Sequence, residues 1–298
     1  MTTEAPTGHG LTSASWETED IDVDAYLRRL GVERDAPTLE LLARIHAAHV
    51  RVFPFSNVDV LLRQHPGVAP AAIMDKLVRR GRGGYCFEHA QLMAAALQGL
   101  GYPVTRRLGR VHAPENGRTH LTLHVDVDGT TYLADPGFGL SITGPLEVAD
   151  GAERREWTGV FDLRRHLIDG VEHWELRRNG ELQHLTDVLR VVPKDVRSAH
   201  LTTSTDPDGS TFLRRLVVSR FTGEGHVTVI DGARTLRRPG RDTVREELSP
   251  RETIQAVRDL DVELSGEDAA RLEVILAHWQ VADLRTERRT SAHLIATN

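Results

Sequence analysis

The sequence predicts an α+β fold in which helices come first, antiparallel strands follow and helices close the chain. Two observations carry that prediction. Apolar residues recur at helical spacing up to about residue 100, and after Gly101 they give way to short alternating runs. Hairpin pairs, Asp128-Gly129 and Asn179-Gly180, punctuate the alternating region.

In chain order, residues 1–20 are rich in Thr, Ser, Gly and Pro and read as a loose lead-in. Ile21, Tyr26 and Leu27 precede Gly31, a helix terminator, and Leu41, Leu42, Ile45 and Ala48 keep the helical repeat. Pro70 suits a first helical position ahead of Ile73, Leu77 and Val78. Phe87–Leu100 has no β-branched residue and stops at Gly101, so it should be a strong helix. Strands are expected at Val104–His112, Leu121–Val127, Thr130–Ala134, Trp174–Arg178 and Phe212–Val218, forming an antiparallel barrel or sandwich. Ser249-Pro250-Arg251-Glu252 is a capping box leading into Ile254 and Val257. Ser265 with Asp268 resembles the same device, ahead of Leu272, Ile275, Leu276 and Trp279 on one face. The tail from Arg285 is expected to fray.

Composition narrows the function. The 298 residues suggest two domains or three small ones. Charges sum to −6, from 37 basic and 43 acidic residues, which leaves no electrostatic footprint for nucleic acid or an anionic membrane. The apolar share of 40% excludes disorder throughout. The longest apolar run, Leu92 to Leu97, is too short to cross a bilayer. The start, MTTEAPTGHG, has no basic or apolar leader region. One cysteine, Cys86, excludes an internal disulfide and a cysteine metal cage. With no HExxH or clustered Cys/His spacing, no metal is expected. These bounds fit a soluble protein of the cytoplasm.

Cys86 lies in RGRGGYCFEHAQLM, where two glycines end a loop and a helix-forming run begins. That places its sulfur near a helix N-terminus, where unpaired amides and the macrodipole favour a thiolate. The bland alternative is a small buried hydrophobe. A reactive cysteine needs a base, and RTHLTLHVDVDGTTYLADPGFG offers one. If Asp128-Gly129 form a two-residue turn, Val127 pairs with Thr130 and Thr122 comes opposite Asp135. His120, Thr122, His124, Asp126 and Asp135 then share the face opposite Leu121, Leu123, Val125 and Val127. Both His120 and His124 are diagonal neighbours of Asp135, at roughly 7–8 Å between backbones. Register alone does not choose between them, and a solvated polar hairpin face would look the same.

These residues resemble the arylamine N-acetyltransferase family. Arg82-Gly83-Gly84-Tyr85-Cys86-Phe87-Glu88, Arg118-Thr119-His120 and Asp135-Pro136-Gly137-Phe138-Gly139 look like its three catalytic motifs. Pro54-Phe55-Ser56-Asn57-Val58-Asp59 and Ser204-Thr205-Asp206-Pro207 through Phe212 resemble two further segments. The resemblance selects His120 and implies a Cys86–His120–Asp135 triad. It also implies a helical domain over 1–100, a β-barrel domain over 101–212 and an α/β lid over 213–298, with a cysteine-proteinase-like core. Acetyl-CoA would be the acyl donor, by ping-pong through a Cys86 thioester, and an arylamine, arylhydroxylamine or hydrazine the acceptor. Phe55, Phe138 and Phe212 match aromatic pocket positions, with ordinary core packing as the alternative. Gly137, Gly139 and Gly144 could let CoA approach closely. Ser56 replaces a glutamate that commonly partners the arginine equivalent to Arg82, so Arg82 must find another acid or solvent. Ala90 and Pro136 also depart from the pattern. An amide synthase using a carrier-bound acyl chain, a thiol hydrolase and a non-enzymatic binding module are the rival readings.

Overall fold

The computed structural model describes residues 15–207 and 210–279. Most of the expected lead-in, and the tail from Arg285, lie outside the described residues. The first elements are α1 (Val23–Leu30), α2 (Leu39–Val52), β1 (Phe55–Ser56), α3 (Val58–Leu61), α4 (Pro70–Ile73) and α5 (Cys86–Gly99). Asp22 and Thr38 start α1 and α2, their side chains accepting from Ala25 N at 2.9 Å and Leu41 N at 3.2 Å. Gly31, at φ +68°, ends α1 as the sequence requires. Pro70 opens α4, which widens into a π-helical stretch over Met74–Arg79. α5 differs from its neighbours, being buried on every face from Cys86 to Leu97. A helix buried all round belongs at the centre of a fold, and Tyr26, Leu41, Ile45, Leu77, Leu121 and Leu123 join its apolar residues in one core.

Next come β2 (Val104–Val111), β3 (Arg118–Val127), β4 (Thr130–Ala134), β5 (Leu146–Glu147), β6 (Glu153–Glu156), β7 (Gly159–Ile168), β8 (Val171–Arg178) and β9 (Glu181–Asp187). They form one antiparallel, barrel-like sheet in the order β5-β4-β3-β2-β9-β8-β7-β6. Asp128 and Gly129 both take positive φ, as a two-residue hairpin demands, and β3 pairs with β4 from Val127↔Thr130 to Leu123↔Ala134. Asp126 on the polar face of this hairpin is exposed, but His120, Thr122, His124 and Asp135 are buried. Leu133, paired with His124, packs with Phe161, Leu163 and Trp174 inside the barrel, while the opposite face of β3, from Leu121 to Val127, joins α5 and Val196 of a further helix, α6 (Pro193–Thr205).

A second sheet holds β10 (Val217–Thr222), β11 (Gly225–Ile230), β12 (Ala233–Arg237) and β13 (Val244–Glu247), with β1 at its edge through Phe55↔Ser219. The strand expected at Phe212–Val218 is corrected here, because Thr211–Leu213 is a 3-10 turn and β10 starts at Val217. Side chains claim the backbone there. Ser210 Oγ accepts from Phe212 N at 3.2 Å, and Asn57 Nδ2 donates to the carbonyls of Phe212 and Arg215 at 2.9 and 2.6 Å. Helix α7 (Pro250–Asp259) follows the Ser249 capping box, and residues 266–279 are helical. Among the described residues no helix is long and apolar enough to cross a membrane.

Candidate active site

Two glycines set the position of Cys86. Gly83 sits at φ +67°, and a Cβ there would lie 2.7 Å from Pro54 O. Gly84 N donates to Pro54 O at 3.1 Å and Ser56 N donates to Gly84 O at 2.6 Å, so the loop is zipped onto β1. The chain then enters α5 with Cys86 as its first residue. Glu88 closes the turn by accepting from Tyr85 N at 3.1 Å.

That glutamate is fully buried and ionised. Burial alone would raise its pKa, but the Lys76 charge, with His65, holds it far below the carboxylate range. Lys76 Nζ donates to both Glu88 oxygens at 2.8 and 2.9 Å and lies 3.3 Å from Asp59. Asp59 in turn accepts from Arg82 at 2.5 Å, and Arg82 Nη1 reaches Asp268 at 2.7 Å. Arg82 has therefore replaced the missing acid at Ser56 with two others, and the network joins the start of α5 to the last helix. Behind the loop, Tyr26 O–H donates to His49, His49 to His89 at 2.9 Å, and His89 Nε2 to Gly84 O at 3.0 Å.

The structure brings Cys86, His120 and Asp135 together. His120, on β3, donates from Nε2 to Asp135 Oδ2 at 2.9 Å, and its ring lies close enough to the Cys86 sulfur to feel it electrostatically. The Cys86 Sγ lies 3.6 Å from Thr119 O. Burial would lower the His120 pKa, yet the Asp135 charge and hydrogen bond, then the Cys86 sulfur, push it up to about 10. Asp135 is driven the other way. Burial raises it, but His120 and then His184 hold its carboxyl far below the usual range. His124 makes no such contact; burial and the Arg107 charge depress it to about 3, and Arg107 Nε stands 3.5 Å from its Nδ1.

Sequence reasoning missed His184. Its Nε2 lies 3.1 Å from the same Asp135 oxygen, across 49 residues of chain. Only the strand order β3-β2-β9 brings it there, and no local pattern announces that order. His120, Asp135 and His184 offer ligand atoms within 4.8 Å of one another, so they are the described set that could hold a metal. Hydrogen bonds already satisfy that geometry, since both Nε2 atoms face one carboxylate oxygen.

Of the aromatics, Phe138 stands edge-on to His120 with ring centroids 5.3 Å apart. Phe55 and Phe212 touch each other at 5.9 Å, beside His89 and Tyr85. Space at two of the loop glycines is taken by protein. A Cβ on Gly137 would lie 2.7 Å from Cys86 Cα, and one on Gly144 would lie 2.5 Å from the Arg154 guanidinium. A Cβ on Gly139, at φ +88°, would make only an ordinary contact, 3.5 Å from Ser219 Oγ. A cavity of about 650 Å³ lies elsewhere, bounded by Trp16, Arg63, His65, Pro193 and Leu201, and contains none of the three converging residues.

Residues 38–266 match the sequence profile of a family described as N-acetyltransferase. The chain is 36% identical over 217 residues to the arylamine N-acetyltransferase of Mycolicibacterium smegmatis, covering 68% of this chain and 78% of that one. Its fold superposes on the arylamine N-acetyltransferase from Mycobacterium abscessus with a TM-score of 0.82, at 28% identity, over 92% of this chain and 99% of that one. The Mycobacterium marinum arylamine N-acetyltransferase, solved in complex with CoA, superposes with a TM-score of 0.74 at 27% identity, over 86% and 98% of the two chains.

Proposed function

The chain belongs to the arylamine N-acetyltransferase family, and from that premise we propose that it moves an acetyl group from acetyl-CoA, through a Cys86 thioester, to an arylamine, arylhydroxylamine or hydrazine. The observation that carries the reading is the convergence of the Cys86 side chain on His120, whose Nε2 donates to the buried Asp135 at 2.9 Å. With its pKa pushed up to about 10, His120 holds a proton at neutral pH and stands as an imidazolium beside the Cys86 sulfur.

In the first half-reaction the thiolate attacks the acetyl carbonyl, the C–S bond to CoA breaks, and His120 returns its proton to the departing thiolate. The neutral imidazole then takes a proton from the attacking amine as the acetyl group leaves sulfur, which restores the ion pair. Asp135 supplies the countercharge and fixes the tautomer. An oxyanion forms in each half, and the Cys86 amide, at the first position of α5, has no acceptor of its own within the helix. Phe138 beside His120, with Phe55 and Phe212, would give a flat apolar acceptor its surface. CoA would approach over the Gly137–Gly144 loop, where Gly139 leaves room and Arg154 brings a cation to the phosphates. A lone unpaired thiol also suits the reducing cytoplasm.

Incubation with acetyl-CoA and an arylamine, with and without Cys86→Ser, tests the reading. The wild type should form the N-acetyl product and free CoA in equal amounts, and Cys86→Ser should form neither. Turnover by the serine variant would reject the thioester. Acetyl-Cys86 that breaks down equally fast without amine would favour a hydrolase.

A further inference from the structure

We infer that His184 is a positioning residue of this reaction: as the second donor to Asp135 Oδ2, it fixes which carboxylate oxygen faces His120 and so preserves the Cys86–His120 pair. The inference rests on the triad reading above.

An aspartate carboxylate turns readily about its last side-chain bond, so burial does not by itself aim it. Three donors aim this one. His120 and His184 reach Oδ2 at 2.9 and 3.1 Å, and Gly137 N reaches Oδ1 at 3.3 Å. They come from β3, β9 and the loop after β4. Without His184, Oδ2 keeps only the partner it must orient, and the opposing restraint is one long amide contact. The fold spends irregular backbone on this placement. Leu176 pairs with His184 but Arg177 pairs with Leu182, so Gln183 is an extra residue in β9 directly before the histidine. A bulge at that point resets the alternation and turns a side chain toward a site.

The charge state also fits. The titratable groups facing His184 are Asp135, His120 and His112, with His124 close by on β3. Burial first, then the His120 and His112 charges, hold it in its neutral form against the pull of Asp135. Because a carboxylate only accepts, the neutral ring carries its proton on Nε2. His184 therefore orients Asp135 without competing with His120 for the positive charge.

Three variants test this: His184→Leu, which fills the space without a donor; His184→Asn, whose amide falls short of Asp135; and His184→Gln, whose Nε2–H can occupy the place of the imidazole N–H. Leu and Asn should lower kcat about 10- to 100-fold while KM for acetyl-CoA stays within about twofold. Iodoacetamide alkylation of Cys86 should slow by a similar factor at about pH 6 and far less at about pH 9, where any thiol ionises. Gln should recover to within about threefold of wild type. Wild-type kinetics in Leu and Asn would overturn the proposal, as would an equal loss at both pH values in all three variants. Asp135→Asn in the same series separates the two readings. If it abolishes fast alkylation and His184→Leu does not, the triad stands and the role of His184 falls. If the wild type alkylates no faster than free cysteine, both fall.

Discussion

Replacing Asp135 by asparagine changes one atom and should cost the enzyme most of its rate. In the native site one carboxylate oxygen accepts from two imidazoles, at 2.9 and 3.1 Å, and the other accepts from Gly137 N at 3.3 Å. A carboxamide has a single oxygen, so its NH2 group must face either the imidazoles or the Gly137 amide. One donor then meets another donor inside a site that water does not reach, since Asp135 is 0% exposed. A hydrogen bond to a charged group is worth about 1.5–3 kcal/mol, and stripping a buried imidazolium of its countercharge about 3–5 kcal/mol. If that falls on the step in which His120 carries the proton, the rate drops roughly 10²- to 10⁴-fold. Single-turnover release of CoA thiol gives the rate, and acetyl-CoA titration gives KM. Asp135 is sealed from substrate, so KM should move by less than about threefold. A rate loss under about tenfold, or a parallel rise in KM, would refute the argument.

Lys76→Met removes the ammonium from the buried Glu88, while Asp59 keeps Arg82, and should lower stability by about 3–5 kcal/mol, with Glu88→Gln on that background recovering part of it; an unchanged melting temperature would contradict the network. His46, His89, His200 and His226 are each lowered to about 4, chiefly by burial. The unfolded chain then binds protons that the folded one does not, so stability should fall as pH drops from about 6.5 toward 4, by up to about 1.4 kcal/mol per pH unit per histidine; flat urea midpoints across that window would contradict it. Gly137→Ala drives a Cβ to 2.7 Å from Cys86 Cα and should cost at least about tenfold in kcat, whereas Gly117→Ala, with only Thr119 Cγ2 at 3.6 Å, should be silent. His124→Gln should leave turnover within about twofold, because His124 does not touch Asp135; a large loss would move the base to that residue.

Much of this was legible in the sequence where the determinants are local. Gly31 and Gly101 stop helices, Asp128-Gly129 sets the hairpin register, and that register places Asp135 near His120. Periodicity also gave the switch from helix to strand. What escaped was set by distant partners. His184 depends on β9 lying beside β2, and the 3-10 turn at Phe212 depends on Asn57 capturing carbonyls 155 and 158 residues away. Arg82 looked orphaned because its acids are Asp59, in the turn after the expected glutamate, and Asp268, near the other end of the chain. A solvated polar face stayed open beside the His–Asp arrangement because nothing in β3 reports the barrel strands that enclose His124 and Leu133.

Intact-protein mass spectrometry after brief exposure to acetyl-CoA, with no acceptor present, tests the thioester most directly. One acetyl group per chain is expected, located on Cys86 and discharged when an arylamine is added. A chain that stays unmodified, or carries its acetyl group on another residue, would contradict it.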